Sequence, residues 1–405
     1  MIRAGLFFAL FFLLSPPSPS RAEDPPARPS ALPAPSPLSS AAAIAASLDD
    51  RLLAAQLIMT GIDGRAKLGG EMRRILEECP PGGIMLFKYN LDTPKEEVRS
   101  LLAECKALGL RRAGIPPFIA ADHEGGPVHR FGPGVGRLPS AASWEKLAGS
   151  LGREAALAAL EEASFRSGRE IRELGLNMNF APVAETLNDD NFRFLGERAF
   201  SADPEFTAAA AAAFVRGMSR AGIGCVAKHF PGNTGADPHS ESPTLEGSRE
   251  ELSRAAAPFA ALIGSGPSGG AAASGGRPDH PVSGLMVSHV LVPAWDGERI
   301  GSLSPALIGE WLRKGMGFEG IVLADDFSMS AAASRLSPEE AAVASIAAGA
   351  DMVMAWPMNL LKLRDAILKA LEEGRLSRRR LEEAAARIIA EKIRLGLIPP
   401  GRQAD

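Results

Sequence analysis

Cysteine is scarce in this chain: three residues in 405, at Cys79, Cys105 and Cys225. Without a Cys-x-x-Cys or a Cys/His pair at zinc-ligand spacing, three thiols argue against a disulfide framework and a structural zinc site. A single Cys79–Cys105 bridge stays open, and Cys225 sits in an apolar run as a core residue. Excess charge of either sign is also missing. Lys and Arg number 44, Asp and Glu 48, for a formal net charge of −4. That balance points away from nucleic acid and from an anionic membrane surface as partners. No apolar run is long enough to span a bilayer, Leu6–Leu14 included. No internal repeat occurs, and no Gly-rich phosphate fingerprint follows the first apolar run, which disfavours a dinucleotide-binding open sheet.

What is present divides the chain. Residues 1–22 carry a basic start (Arg3), an apolar stretch (Leu6–Leu14) and a small-x-small site (Ser20-Arg21-Ala22). They read as a secretory signal peptide and imply a secreted or periplasmic protein. No Cys lies near the cleavage site, so a lipid anchor is not expected, and neither is stable membrane insertion after cleavage. Residues 23–45 are rich in Pro, Ala and Ser and read as a flexible linker. Residues 46–400 read as one catalytic domain.

Within that domain short apolar runs recur: Gln56–Gly61, Gly83–Phe87, Pro117–Ala121, Asn177–Val183, Cys225–Phe230, Leu285–Val290, Ile321–Asp325 and Asp351–Ala355. Each has strand length and is apolar on both faces, as a parallel sheet requires. Helical stretches lie between them. Several open on a capping residue followed by Pro: Thr93-Pro94, Asp203-Pro204, Ser304-Pro305 and Ser337-Pro338, with Glu96 and Glu340 placed to complete capping boxes. Eight strands alternating with helices predict an α/β fold of (β/α)8 TIM-barrel type. Gly264–Pro281, rich in Gly, Ala, Ser and Pro, reads as a disordered insertion on the helix-to-strand side.

In such a barrel the strand exits form the active face. Here they carry converging polar groups. The third run leads into Asp122-His-Glu-Gly-Gly-Pro-Val-His-Arg130-Phe. The fourth holds Asn179, then Glu185, with Gly-Glu-Arg198 further along its loop. The fifth gives Lys228, His229 and a loop with Asp237 and His239; the sixth gives Ser288-His289; the seventh gives Asp325 and Asp326. An isolated carboxylate on one exit and an Asp/His pair on another suit a nucleophile and a general acid/base. A lone Asp at a strand exit is as readily a helix cap, but five polar exits in succession gather into one cleft. His229, His239, His289 and Asp325 can also be read as ligands of a metal-dependent hydrolase. Against this, the first exit, Thr60-Gly61-Ile62-Asp63, offers no His-x-His pair.

Four of these stretches resemble, in order, the signatures of glycoside hydrolase family 3: Asp122-x-Glu-Gly-Gly-x-Val-x-Arg130-Phe, Gly-Glu-Arg198-Ala-Phe, Lys228-His229-Phe-Pro-Gly and Asp325-Asp-Phe-Ser-Met329. The likeness runs from about Leu48 to Leu397 and is nearest the single-domain β-N-acetylglucosaminidase branch. It implies a retaining, exo-acting β-N-acetylhexosaminidase for a carbohydrate substrate, acting on cell-wall fragments or chitooligosaccharides without metal or cofactor. It implies Asp325 as nucleophile, His239 oriented by Asp237 as acid/base, and Asp122, Arg130, Arg198, Lys228 and His229 as sugar-binding groups. One departure stands out. Asn233 occupies the place of a third His in the family loop, the loop is shorter, and Asp237-Pro238-His239 replaces Asp-Ser-His. Pro238 restricts Asp237 to extended backbone. A β-glucosidase or glycoside phosphorylase on the same barrel, and a non-catalytic envelope sugar-binding protein, remain alternatives.

Overall fold

The eight apolar runs pair side by side, all parallel, in the computed structural model, which describes residues 37–236, 243–264, 282–328 and 336–399. In chain order the barrel strands are Ile58–Gly61, Gly83–Leu86, Phe118–Ala121, Met178–Asn179, Gly224–Phe230, Gly284–Val287, Ile321–Ala324 and Val353–Ala355. Each pairs with its predecessor, and the eighth returns to the first through Ile58–Val353, Met59–Met354 and Thr60–Ala355. The ring closes between the seventh and eighth strands. Leu323 bridges Met352, the Ala324 N–H donates to the Met352 carbonyl at 3.0 Å, and Asp351 N–H donates to that of Val322 at 2.8 Å. Burial on both faces explains why these strands show as unbroken apolar runs rather than alternating ones.

Helices cover the outside. Asp203 caps Pro204–Arg220 by accepting from Glu205 N–H, and Ser337 caps Pro338–Ala348 by accepting from Glu340 N–H. The Thr93 box does not form. Thr93 Oγ1 instead donates to the Glu97 carboxylate, and Lys95–Ala113 starts without a side-chain cap. Ser304 accepts from Leu307 N–H at the start of Ala306–Gly315, whose turns are π-helical.

Two further expectations are corrected. The linker was expected to reach residue 45, but Pro37–Ser47 is a helix with Ala41, Ile44 and Ala45 buried in the main core. Its small apolar side chains bury despite a composition that suggests a tether. An antiparallel hairpin, Leu291–Val292 with Asp296–Ile300, follows the sixth strand and was not foreseen. The Cys79–Cys105 bridge is absent: all three thiols are free and buried, and burial pushes Cys79 and Cys105 up to about 12. The signal peptide (1–22), most of the linker and the insertion (265–281) lie outside the described residues. No described helix is long and apolar enough to cross a membrane.

The end of the barrel away from the exits is held by charge. Asp351 sits at the start of the eighth strand, fully buried, against Arg313, Arg380 and Arg387, and also accepts from Val322 N–H. Burial alone would raise its carboxyl, but the three guanidinium groups hold it below the usual range. Lys392, also fully buried, donates to Gln56 Oε1 at 2.9 Å and lies 5.1 Å from the Phe118 ring centre.

Candidate active site

The loop after the third strand turns back sharply at Gly125 and Gly126, with φ of 95° and 53°. A Cβ on Gly125 would lie 2.3 Å from the Pro139 carbonyl oxygen, and one on Gly126 2.6 Å from Ser140 Cβ. Only glycine fits both the conformation and the space. The root of this loop is pinned from the fourth strand. Asn179 Oδ1 accepts from His123 N–H at 2.9 Å, and its Nδ2 donates to the His123 carbonyl at 3.0 Å. Asp122 and Glu124, on either side of His123, are thereby presented to the exit face.

Those two carboxylates meet cations from two other exits. Lys228 Nζ lies 2.7 Å from Asp122 Oδ1 and 2.7 Å from Glu124 Oε1. Arg198 grips Glu124 with two parallel bonds, Nε to Oε2 at 2.8 Å and Nη2 to Oε1 at 2.9 Å. Arg130 Nη2 reaches Asp122 Oδ2 at 3.4 Å. Burial works against the charges of Glu124, Lys228 and Arg198, and their partners outweigh it. Glu124 is brought down to about 2 by Lys228 and Arg198, and Lys228 is raised by Asp122 and Glu124. A bidentate guanidinium–carboxylate pair fixes orientation as well as charge. Two of the three Lys228 protons are taken, so one donor remains for a ligand.

The fifth strand supplies Lys228 and His229 in succession. Its pairing with the sixth strand is irregular between Ala227 and Phe230, and the Lys228–His229 peptide is cis. His229 Nδ1–H donates to Glu185 Oε1 at 2.7 Å. The same carboxylate accepts from Asn233 N–H at 2.6 Å, from Asn233 Nδ2 at 3.0 Å and from His229 N–H at 3.2 Å. Glu185 thus ties the exit of the fifth strand to the start of the loop that leads on to Asp237. Asn233 serves it with both backbone and side chain.

At the seventh exit, Asp325 Oδ1 accepts from Asp326 N–H at 2.8 Å, and Oδ2 has no hydrogen-bond partner among the described residues. Burial would raise this carboxyl. His229, His289, the Asp326 N–H and Lys228 together hold it below its ordinary value of 3.8. His289 is a brace. Its Nε2–H donates to the Asp326 carbonyl at 3.0 Å, and its Nδ1 accepts from the Ser302 hydroxyl at 2.7 Å. Its ring also stacks on Phe327, centroids 5.2 Å apart. Asp326 Oδ1 accepts from Ser328 N–H and so shapes the turn.

The structure therefore brings together Asp122, Arg130, Arg198, Lys228, His229 and Asp325 from the third, fourth, fifth and seventh exits. Asp237 and His239 lie outside the described residues. Of the residues open to a metal-ligand reading, His289 has both ring nitrogens committed, His239 lies outside the described residues, and His229 is held by Glu185 through Nδ1. Glu124, the hub of the charge cluster, had no role assigned from sequence, although it stands inside the Asp122 motif.

Comparison with known proteins agrees with this geometry. Residues 48–390 match the N-terminal domain model of glycosyl hydrolase family 3. A β-hexosaminidase of Methylococcus capsulatus is 36% identical over 309 residues, 76% of this chain and 84% of that one. Among solved structures, a family 3 β-N-acetylglucosaminidase from a Paenibacillus strain superposes with a TM-score of 0.76 at 31% identity. That match covers 87% of this chain, which spans only 63% of that one. M. tuberculosis LpqI superposes at 0.72 and 28% identity, covering 89% of this chain and 97% of its own.

Proposed function

The chain belongs to glycosyl hydrolase family 3 and is a glycosidase, and we propose that it is a retaining, exo-acting β-N-acetylhexosaminidase. It would release terminal β-linked N-acetylglucosamine from cell-wall fragments or chitooligosaccharides. The observation that carries the reading is Asp325: a carboxylate kept ionised at a strand exit, faced by His229 and Lys228, with one oxygen braced and the other without a hydrogen-bond partner among the described residues.

In this reading Asp325 Oδ2 attacks the anomeric carbon as the bond to the leaving oxygen breaks. His239, charged and oriented by Asp237, gives that oxygen its proton. The glycosyl ester on Asp325 is then opened by water, whose proton returns to His239, and Asp325 leaves as carboxylate. The roles of Asp237 and His239 rest on the sequence pattern. Asp122, Arg130, Arg198, Lys228 and His229 hold the sugar; the acceptor Asp122 and the free Lys228 donor suit neighbouring hydroxyls. Charged hydrogen bonds that tighten as the transition state forms raise the rate rather than only the affinity.

The experiment is a comparison of nitrophenyl β-N-acetylglucosaminide with nitrophenyl β-glucoside, with and without phosphate. Preference for the N-acetyl substrate with phosphate-independent turnover supports the reading. Preference for glucoside, or phosphate-dependent turnover, replaces it with one of the alternatives. Export completes the proposal: the N-terminal pattern supports release of a mature chain beginning near Glu23 outside the cytoplasm, where wall fragments occur. A cytosolic protein still starting at Met1 contradicts that part.

A further inference from the structure

The charged cluster occupies the third to fifth and seventh exits; the eighth and second carry aromatic rings. Trp356 follows the eighth strand and Phe87 the second. Their rings stack, with centroids 5.2 Å apart and 11° between planes. The first strand runs between them and ends at Gly61. A Cβ there would lie 3.3 Å from the Phe87 ring and 3.4 Å from Pro357 Cδ. The missing side chain lets the two segments close over the strand end.

Trp356 remains 42% exposed although Phe87 covers one face, and among the described residues no other ring stacks on it. Met358 beside it is 71% exposed. The indole is also fixed in place. Its Nε1–H donates to Ser328 Oγ at 2.9 Å, Ser328 N–H to Asp326 Oδ1 at 2.9 Å, and Asp326 N–H to Asp325 Oδ1 at 2.8 Å. Three hydrogen bonds thus connect the edge of the ring to the proposed nucleophile. A surface tryptophan anchored in this way, with its polar atom already used, presents only its π face to a ligand.

We propose that Trp356, backed by Phe87, is a stacking platform for a sugar ring in the leaving-group position of the substrate. This rests on the glycosidase reading of the preceding section and adds the chemical class of the aglycone. A β-linked pyranose with equatorial substituents offers a face of C–H bonds, complementary to the negative face of an aromatic ring. The terminal sugar requires hydroxyl partners, which the charged cluster holds on other exits. The platform has none to offer and suits the sugar that departs.

The test compares Trp356→Ala, Trp356→Phe and Ser328→Ala on two substrates with alkyl leaving groups: N,N′-diacetylchitobiose, and methyl β-N-acetylglucosaminide, whose aglycone has no ring. Trp356→Ala should lose about tenfold more kcat/KM on the disaccharide than on the methyl glycoside. Trp356→Phe should recover most of that difference, because it keeps the ring and drops the N–H. Ser328→Ala, which keeps the ring but releases the indole N–H that holds it in place, should lose part of the same difference. Equal losses with Trp356→Ala, or no recovery with Trp356→Phe, overturn the platform. Should the unaltered enzyme turn over neither substrate nor nitrophenyl β-N-acetylglucosaminide, the hydrolase reading itself fails. The platform is then judged by saturation-transfer NMR of diacetylchitobiose: contact with one ring, lost in Trp356→Ala, supports it, and an unchanged spectrum refutes it.

Discussion

Glu124 and Arg198 face each other through two parallel hydrogen bonds of 2.8 and 2.9 Å, and the buried Lys228 closes on the same carboxylate. The pair sits where the third and fourth exits meet, so it holds together groups that would otherwise repel. Removing the charge from Glu124 leaves Lys228 with Asp122 alone and frees the fork of Arg198. Uncovering one partner of a buried ion pair costs about 3 kcal/mol. Glu124→Gln is thus expected to lower the thermal midpoint by several degrees and kcat/KM by more than about tenfold. Glu124→Asp, which keeps the charge on a shorter stem, should recover stability better than activity. Thermal unfolding and steady-state kinetics on both variants check this.

Lys392 provides a test of the barrel core that is independent of catalysis. Burial lowers its ammonium from 10.5 to about 7. Between these values the unfolded chain binds a proton that the folded chain does not, so stability rises with pH across that window and is flat with respect to this group below it. The slope is at most about 1.4 kcal/mol per pH unit. Cys79 and Cys105 act oppositely above about pH 9, since their folded values of about 12 leave only the unfolded thiols to ionise. The thermal midpoint should therefore rise from pH 7 to about 8.5 and then fall, because above about pH 9 the raised thiols, Cys225 among them, outnumber the single ammonium. Lys392→Met should abolish the rise. An unchanged slope in that variant would show that another group carries it.

His239 bears on the proton rather than on the covalent bond. His239→Ala should fail mainly where the leaving group needs protonation. Hydrolysis of a disaccharide should fall about 10²–10⁴-fold, and a nitrophenyl glycoside, which departs as a stable anion, should fall far less. Asp237→Ala should follow the same trend more weakly. Equal losses on both substrates would make His239 a binding group. Glu185 is poorly placed to substitute, because it already accepts from His229 and from two donors of Asn233.

The barrel was legible because parallel strands buried on both faces leave uninterrupted apolar runs, and each of the eight proved to be a strand. The hairpin escaped because Asp296–Ile300 exposes three polar or glycine positions in succession, and its residues resemble a loop. Pro37–Ser47 escaped because alanines say little until the core they pack against is known. Asp122, Arg130, Arg198, Lys228, His229 and Asp325 were readable because strand exits converge on one face of such a barrel. Glu124 was not, since its importance lies in Arg198, 74 positions away. Trp356 was equally hidden: only the Gly61 gap and the Phe87 stack distinguish it from an ordinary aromatic at a strand end.

The covalent role of Asp325 is tested most directly by a mechanism-based label, such as 5-fluoro-N-acetylglucosaminyl fluoride, followed by peptide mass spectrometry. The adduct should sit on the peptide containing Asp325 and on its carboxylate. Asp325→Asn, nearly isosteric, should keep the fold, lose the label and lose more than about a thousandfold in kcat. A label on any other residue, or an Asp325→Asn enzyme with more than a few per cent of its turnover, would contradict the assignment.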